Sequence, residues 1–599
     1  MRFPTGQLIA EWPLAVIVVL ASAAMARAEP LHVRATVRRP VSLVQMSNVL
    51  LIGNRESGSI SVLEAGSLSI SDEVQVAKSI DDLIAVPRSQ LLLAVDSASH
   101  ELIQIVFRKD RRATESLAVA HRVPVARYPV SVVVMPAGEL ATVASRWSRR
   151  LTVLAIDGQS TPQATKVVDL PFAPGKQLAL DNRHVLVADA FAGQLAIVNV
   201  RSAKILSRRE LNGHNIRGLA LSADGRQVHV THQIMLSITA TTRSRISWGG
   251  VVSNSLHALA VSDLLKPMPD SFCKPHSIYG RLYPLGEDGY AAGDPAGIAS
   301  TEDGRTFVAL SGIHEVCLKR KKSLDLRRVK TARRPMAVLF DEKTNRLFVA
   351  GTSGDSVSVH DGDTLKEMKR IPLGPPTKRN PRQLGEELFY DARLSLDGWY
   401  SCHSCHSDGH STGRLNDNFS DHSFGTPKRI LSLLGVADTK PWAWDGSQPS
   451  LEAQVESSIR QTMSGPGKGG PTVTEQNINA LAEFLRSLPP APSVTVARGE
   501  VDEKATRRGR QVFSAHGCAE CHRPSTLTSP ATFDVGLHDA TGLKEFNPPS
   551  LRGLSQRGPY FHDNRAATLR ELIDKHDHDG ASSVSEPQKR DLLEFLKSL

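Results

Sequence analysis

From about residue 40 the chain keeps returning to one phrase: an apolar run, a short polar turn, a second apolar run, then a third. The phrase begins at Pro40, Ile80, Pro129, Gly175, Ile216, Asp294 and Arg334, so successive starts lie 40, 49, 46, 41, 78 and 40 residues apart. One such unit cannot bury both faces of its small sheet, but units stacked around an axis can. A period of about 40–50 residues is that of β-propeller blades. Asp224-Gly225 and Asp303-Gly304 fall between alternating apolar runs, where a tight hairpin needs them. Seven copies predict a seven-bladed all-β propeller over residues 29–372, with an insertion around 243–290 accounting for the long step.

The repeats resemble the YVTN-type β-propellers of exported bacterial proteins, a likeness that speaks to fold rather than to role. The N-terminus points to export as well. Leu14–Ala24 is a short apolar run behind Arg2, and Ala26-Arg27-Ala28 supplies a small-x-small cleavage pattern. The run falls short of the roughly 20 residues that span a bilayer. Residues 1–28 therefore read as a signal peptide, leaving a soluble chain in the periplasm or otherwise exported. In that oxidising setting a Cys273–Cys317 disulfide competes with two free thiols. Charge is unevenly placed, with 46 basic and 34 acidic residues before Lys378 and 26 and 28 from it onward. The basic part is either a docking face for an acidic partner or an ordinary solvated surface. Nothing resembles a nucleic-acid platform. His314 and the other blade histidines read as turn or core residues.

Residues Ile371–Arg382 carry four prolines and mark a linker, placed at 373–382. Helical patterns follow, divided into segments 383–492 and 493–599. Each holds one motif: Cys402-His403-Ser404-Cys405-His406 and Cys518-Ala519-Glu520-Cys521-His522. Two thiols about one helical turn apart reach the two vinyl groups on one porphyrin edge, and the next residue, His, projects beneath the ring toward iron. A zinc site would need the four cysteines to converge, yet 113 residues separate Cys405 from Cys518. A redox disulfide has no use for the following His. The expectation is two covalent haem c groups, on Cys402 and Cys405 and on Cys518 and Cys521, with His406 and His522 as proximal ligands.

From about Gln383 onward the chain resembles the dihaem cytochrome c peroxidase family, including the related enzymes that mature tryptophan tryptophylquinone. The resemblance rests on LGEELFYDARLS (Leu384–Ser395), PWAWDGSQPSLEAQ (Pro441–Gln454), RRGRQVFSAHGCAECH (Arg507–His522) and NPPSLRGLSQRGPYFHDNRAATLRELIDKH (Asn547–His576). It implies two all-α cytochrome-c-like domains. It also implies electrons taken from a small redox protein at the second haem and peroxide or oxidation chemistry at the first.

The same resemblance suggests further residues. A distal ligand of the first haem, where the family has one, would be His422, which otherwise is a surface-loop histidine above a five-coordinate iron. His410, four residues from His406, is an inferior candidate. The peroxidases place a Met fourteen residues after the His of Tyr-Phe-His. Here that count from His562 reaches His576, and the last methionine is Met463. A bis-histidine pair His522/His576 is expected, with His578 or Tyr560 as fallbacks and a solvated polar turn as the bland alternative. A second imidazole in place of Met lowers the potential. Trp444 matches the tryptophan between the haems, while Trp442 reads as packing. Three departures stand out. The family's acid/base Glu faces Arg460–Met463, which holds no carboxylate. An Asn associated with an interhaem calcium aligns with Ile430, and a Thr of a Thr-x-Pro segment becomes Arg557. Calcium is doubtful, and a guanidinium could replace its charge. The expected function is a periplasmic dihaem oxidoreductase; the alternative is an electron-transfer cytochrome with no chemistry of its own.

Overall fold

The computed structural model describes residues 37–108, 116–157, 160–267, 275–321, 323, 325–419, 423–467, 469–576 and 578–599. The expected signal peptide, Cys273 and His422 lie outside these residues. Seven sheets follow one another, each with its strands in chain order from the axis outward; all pairings are antiparallel except that of a short fifth strand, His276–Ser277, parallel to the outer strand of blade 4. Their innermost strands begin at Pro40, Asp82, Pro129, Pro174, His214, Pro295 and Pro335. Second strands such as Val49–Asn54 and Leu91–Asp96 are buried along their whole length. Both of their faces are covered by neighbouring blades, which is why they read as unbroken apolar runs. Fourth strands such as Gln163–Asp169 face water and are polar.

Blades 1 and 7 are each continuous in sequence, so side chains seal the ring rather than a shared strand. Leu50, Ile52 and Leu63 pack with Phe348, Val357 and Val359. The Arg39 amide donates to Asp355 Oδ1 at 2.8 Å, and Thr352 Oγ1 donates to the Pro40 carbonyl at 2.6 Å. Cys317 is buried in the third strand of blade 6, where desolvation pushes its thiol up to about 12.

The long step between copies is not one insertion. It contains two strands of blade 5, Val252–Ala260 and Arg281–Pro284, flanked by excursions that carry the short helices Arg243–Ser247 and Val261–Leu265. The strand VSNSLHALA alternates with polar residues, so it hid inside the presumed insertion.

Past the last blade, Asn380 caps the helix Pro381–Phe389 with a reciprocal capping box and Pro at its first turn. This helix packs on Glu475–Arg486, and a second pair, Glu503–Ala515 and Glu586–Ser598, repeats the arrangement. Each crossing depends on a glycine. A Cβ on Gly385 would lie 1.9 Å from the Ala480 carbonyl oxygen, and one on Gly509 would lie 2.0 Å from that of Asp591. A seven-bladed propeller thus precedes two helical cytochrome-type domains.

Candidate functional site

Each Cys-x-x-Cys forms a single helical turn that ends at its histidine. Cys402, Cys405 and His406 line one cavity; Cys518, Cys521 and His522 line another. The four cysteines therefore divide into two sites and do not converge on one metal. Burial pushes Cys402 and Cys405 up to about 12, opposite to the low values of redox dithiols. His406 Nδ1 donates to the Leu431 carbonyl at 2.8 Å, and His522 Nδ1 donates to that of Leu527 at 3.1 Å. A carbonyl can only accept, so in each ring Nδ1 carries the proton and Nε2 keeps its lone pair. Burial holds both rings down at about 4, hence neutral. Two thiols, one backbone-anchored neutral imidazole and an apolar cavity form the donor set of a haem c, and these residues fit it.

Across the second cavity the ring of His578 lies 6.5 Å from that of His522, centroid to centroid. His576 does not line this cavity; it caps the helix Leu569–Lys575 and packs edge-on against Phe561 at 5.5 Å. His578, beyond the end of this helix, is the imidazole that lines the cavity opposite His522. Tyr560 lines the cavity, but its hydroxyl donates to the Leu554 carbonyl at 3.2 Å.

Among the described residues lining the first cavity there is no second imidazole and no carboxylate. Its wall includes the helix Leu451–Ser457, which continues as a π-helical turn over Ser458–Thr462, with Gln454 and Ser458 as polar groups. His410 lines neither cavity; its Nε2 donates to the Gln556 carbonyl at 3.1 Å, its Nδ1 accepts from Ser432 Oγ at 3.0 Å, and the ring packs against Trp147 and Phe191. Trp442 packs at the edge of the first cavity. Trp444, Arg429 and Arg557 line both cavities, and the Trp444 indole donates to the Arg429 carbonyl at 2.8 Å.

A family model for the di-haem cytochrome c peroxidases matches residues 379–489, and one for cytochrome c matches residues 506–599. The methylamine utilization protein MauG of Methylorubrum extorquens is 30% identical over 315 residues, which cover 42% of this chain and 88% of that protein. This chain belongs to the di-haem cytochrome c peroxidase family. Hydrazine synthase subunit gamma of Kuenenia stuttgartiensis is 29% identical over 37% of this chain and 79% of its own length. The cytochrome-c peroxidase IdrP1 of a Pseudomonas species is 23% identical over 41% and 88%. Family membership implies haem c as the cofactor and a peroxidase-like di-haem cytochrome as the class. Both family models begin beyond the last blade.

What the propeller adds to this peroxidase-family module is a polar cradle under the first motif. Asp294, at the entry to blade 6, accepts hydrogen bonds from Ser401 Oγ at 2.6 Å and Ser404 Oγ at 2.5 Å. His214 Nε2 and Asn215 Nδ2 of blade 5 donate to the Ser404 carbonyl at 2.9 and 3.2 Å. Asp408 receives Arg146 and Arg217, each at 3.0 Å. Apolar contact seals the rim: Ala392 is wholly buried among Leu256, Leu310 and Ile313, and the Trp399 indole donates to the Ser247 carbonyl at 3.0 Å. Asn215, Asp294 and Arg334 all adopt left-handed backbone, at φ 52°, 54° and 52°. Non-glycine residues tolerate that conformation where surrounding contacts over-determine it. Asp294 and Arg334 immediately precede the innermost strands of their blades and Asn215 is the second residue of its own, positions that periodicity alone does not mark as functional.

Proposed function

We propose that this chain is an exported di-haem c-type oxidoreductase. In this reading Cys402, Cys405 and His406 would hold one haem c, and Cys518, Cys521, His522 and His578 would hold another. Haem c at the second site exchanges single electrons with a small redox protein, and haem c at the first supplies reaction with peroxide or an organic substrate. Trp444 lines both cavities and is held by its bond to the Arg429 carbonyl, which suits an electron bridge between them. The Leu431 and Leu527 carbonyls keep each imidazole in the tautomer that offers Nε2. Gln454 and Ser458 orient whatever small molecule enters beside His406. The propeller's cradle keeps the first motif dry and fixed. Among the described residues no helix is long and apolar enough to cross a membrane.

The observation that carries this reading is the division of the two Cys-x-x-Cys-His turns between two cavities that share Trp444. A second imidazole faces His522, and none of the described residues supplies one opposite His406. That no carboxylate is among the described residues lining the His406 cavity favours a second reading, an electron carrier that lacks an acid/base group for O–O cleavage. Electron paramagnetic resonance of the oxidised and half-reduced protein decides between them. The oxidoreductase shows a high-spin signal that peroxide consumes, whereas two low-spin haems inert to peroxide support the carrier. A pyridine haemochrome assay giving fewer than two c-type haems per chain overturns both.

A further inference from the structure

Two guanidinium groups lie buried in the wall between the cavities, and among the described residues no carboxylate pairs with them. Arg429 and Arg557 are 6% and 9% exposed and line both cavities. Arg557 Nη1 donates to the Ser550 carbonyl at 2.7 Å, and Arg429 Nη2 donates to the Arg557 carbonyl. The Nε of each is buried without a hydrogen-bond partner. Burial pushes both guanidiniums down to about 10, Arg429 adds to the effect on Arg557, and no acidic side chain offsets it. Neighbouring cations are treated differently: Lys428 pairs with Asp539 at 2.9 Å and Arg552 with Asp438 at 2.7 Å.

Burying two like charges side by side without counter-charge is strongly unfavourable. Such a pair is suited to anions that arrive from outside the polypeptide. The cavities on either side each fit a haem c, and a haem carries two propionate carboxylates on the edge away from its thioether-forming groups. A guanidinium fork matches a carboxylate with two parallel hydrogen bonds. We propose that Arg429 and Arg557 form a carboxylate clamp for the propionates of both bound haems and supply the positive charge at the seam without a divalent cation. The clamp rests on the haem reading above and extends it to the seam, where the Trp444 bond to the Arg429 carbonyl fixes one jaw.

The test uses full-length protein bearing both haems, purified without added calcium and without chelator, with a chelator-treated aliquot alongside. Haem is counted by pyridine haemochrome, metal by elemental analysis, and the two potentials by spectroelectrochemical titration of wild type, R429Q, R557Q and R557K. The clamp predicts two haems, no retained calcium, and a fall of both potentials in R557Q. Loss of a nearby positive charge favours the ferric state by about tenfold, about 59 mV for a one-electron couple. R557K keeps the charge and recovers most of the shift. If R557Q does not accumulate, R557K and R429Q carry the comparison. Stoichiometric calcium whose removal alters the spectra overturns the clamp, and so do unchanged potentials in both glutamine variants of a two-haem protein. Fewer than two haems overturns the underlying site reading and the clamp with it.

Discussion

Arg217 of blade 5 donates to Asp408 Oδ2 at 3.0 Å, joining the propeller axis to the turn just past the first Cys-x-x-Cys-His motif. Arg146 of blade 3 reaches the same oxygen at the same distance. Burial alone would raise the Asp408 carboxyl, but Arg217 and Arg146 hold it well below the usual carboxylate range. Removing Asp408 strands two half-buried cations, whereas removing either arginine leaves the carboxylate the other arginine and the Tyr390 hydroxyl. D408N is therefore expected to cost about 3–5 kcal/mol of stability, and R146M or R217M clearly less. Denaturant titrations rank the three, and equal losses would show that the carboxylate is not the hub. Because its folded pKa is depressed, Asp408 contributes stability above pH about 4 that is lost as pH falls further.

A second acid sensitivity comes from blade 5. His232 Nδ1 donates to the Gln233 carbonyl at 3.2 Å, so its Nε2 accepts from His257 Nδ1 at 3.1 Å. Burial holds His232 down at about 3 and also lowers His257. The unfolded chain takes up protons near the ordinary value of 6.5 while the folded pair stays neutral. Stability is expected to decline progressively from pH 6.5 toward 3, and H232N should flatten that decline. A pH series of melting temperatures that runs parallel in H232N and wild type would assign the acid loss elsewhere.

Much of this architecture could be read directly from the chain. Blade starts at Pro40 and Pro129 coincide with innermost strands, because burial on both faces forces unbroken apolar runs at a fixed period. The two Cys-x-x-Cys-His turns are equally plain, since the chemistry needs adjacent residues. Asp294, Asn215 and Arg217 were invisible for the opposite reason. Each contacts a group 107 to 191 residues away in sequence, a pairing that only the docked fold brings about. The choice between His576 and His578 turned on where one short helix ends, which no periodicity specifies.

That choice has a spectroscopic signature. With His578 facing His522, H578G opens the second iron and converts its low-spin signal to high-spin, and added imidazole restores it. H576G should leave the spectrum as it is, because His576 packs against Phe561 instead. The reverse result, a spin change in H576G alone, would return the ligand to the position counted from His562.

Trp444 is the group common to both cavities that combines an oxidisable ring with a fixed orientation. W444F keeps an aromatic ring but loses both the indole and its bond to the Arg429 carbonyl. Flash reduction of one haem followed by stopped-flow absorbance is expected to show slower interhaem equilibration in W444F, with both equilibrium spectra unchanged. Unchanged rates would reduce Trp444 to packing against Phe546 and His562.

Asp294 offers the sharpest test of what the propeller does to the first haem. Its two oxygens accept from Ser401 and Ser404, which flank and separate the attachment cysteines. Burial raises this carboxyl, and the two serine bonds act in the opposite direction by favouring its charged form. A buried negative charge beside the motif stabilises ferric iron, so D294N should raise the first potential by roughly 30–60 mV, up to about a tenfold change in the ferric/ferrous equilibrium. The second potential should not move, since no Asp294 contact reaches the second motif. D294A removes the acceptors as well and leaves the protons of two buried hydroxyls without the carboxylate they donate to, at about 1–3 kcal/mol of stability. Spectroelectrochemistry of D294N separates the two effects because the amide still accepts a hydrogen bond. A first-haem potential equal to wild type would mean that the cradle acts by packing alone and that the carboxylate is protonated in the folded state.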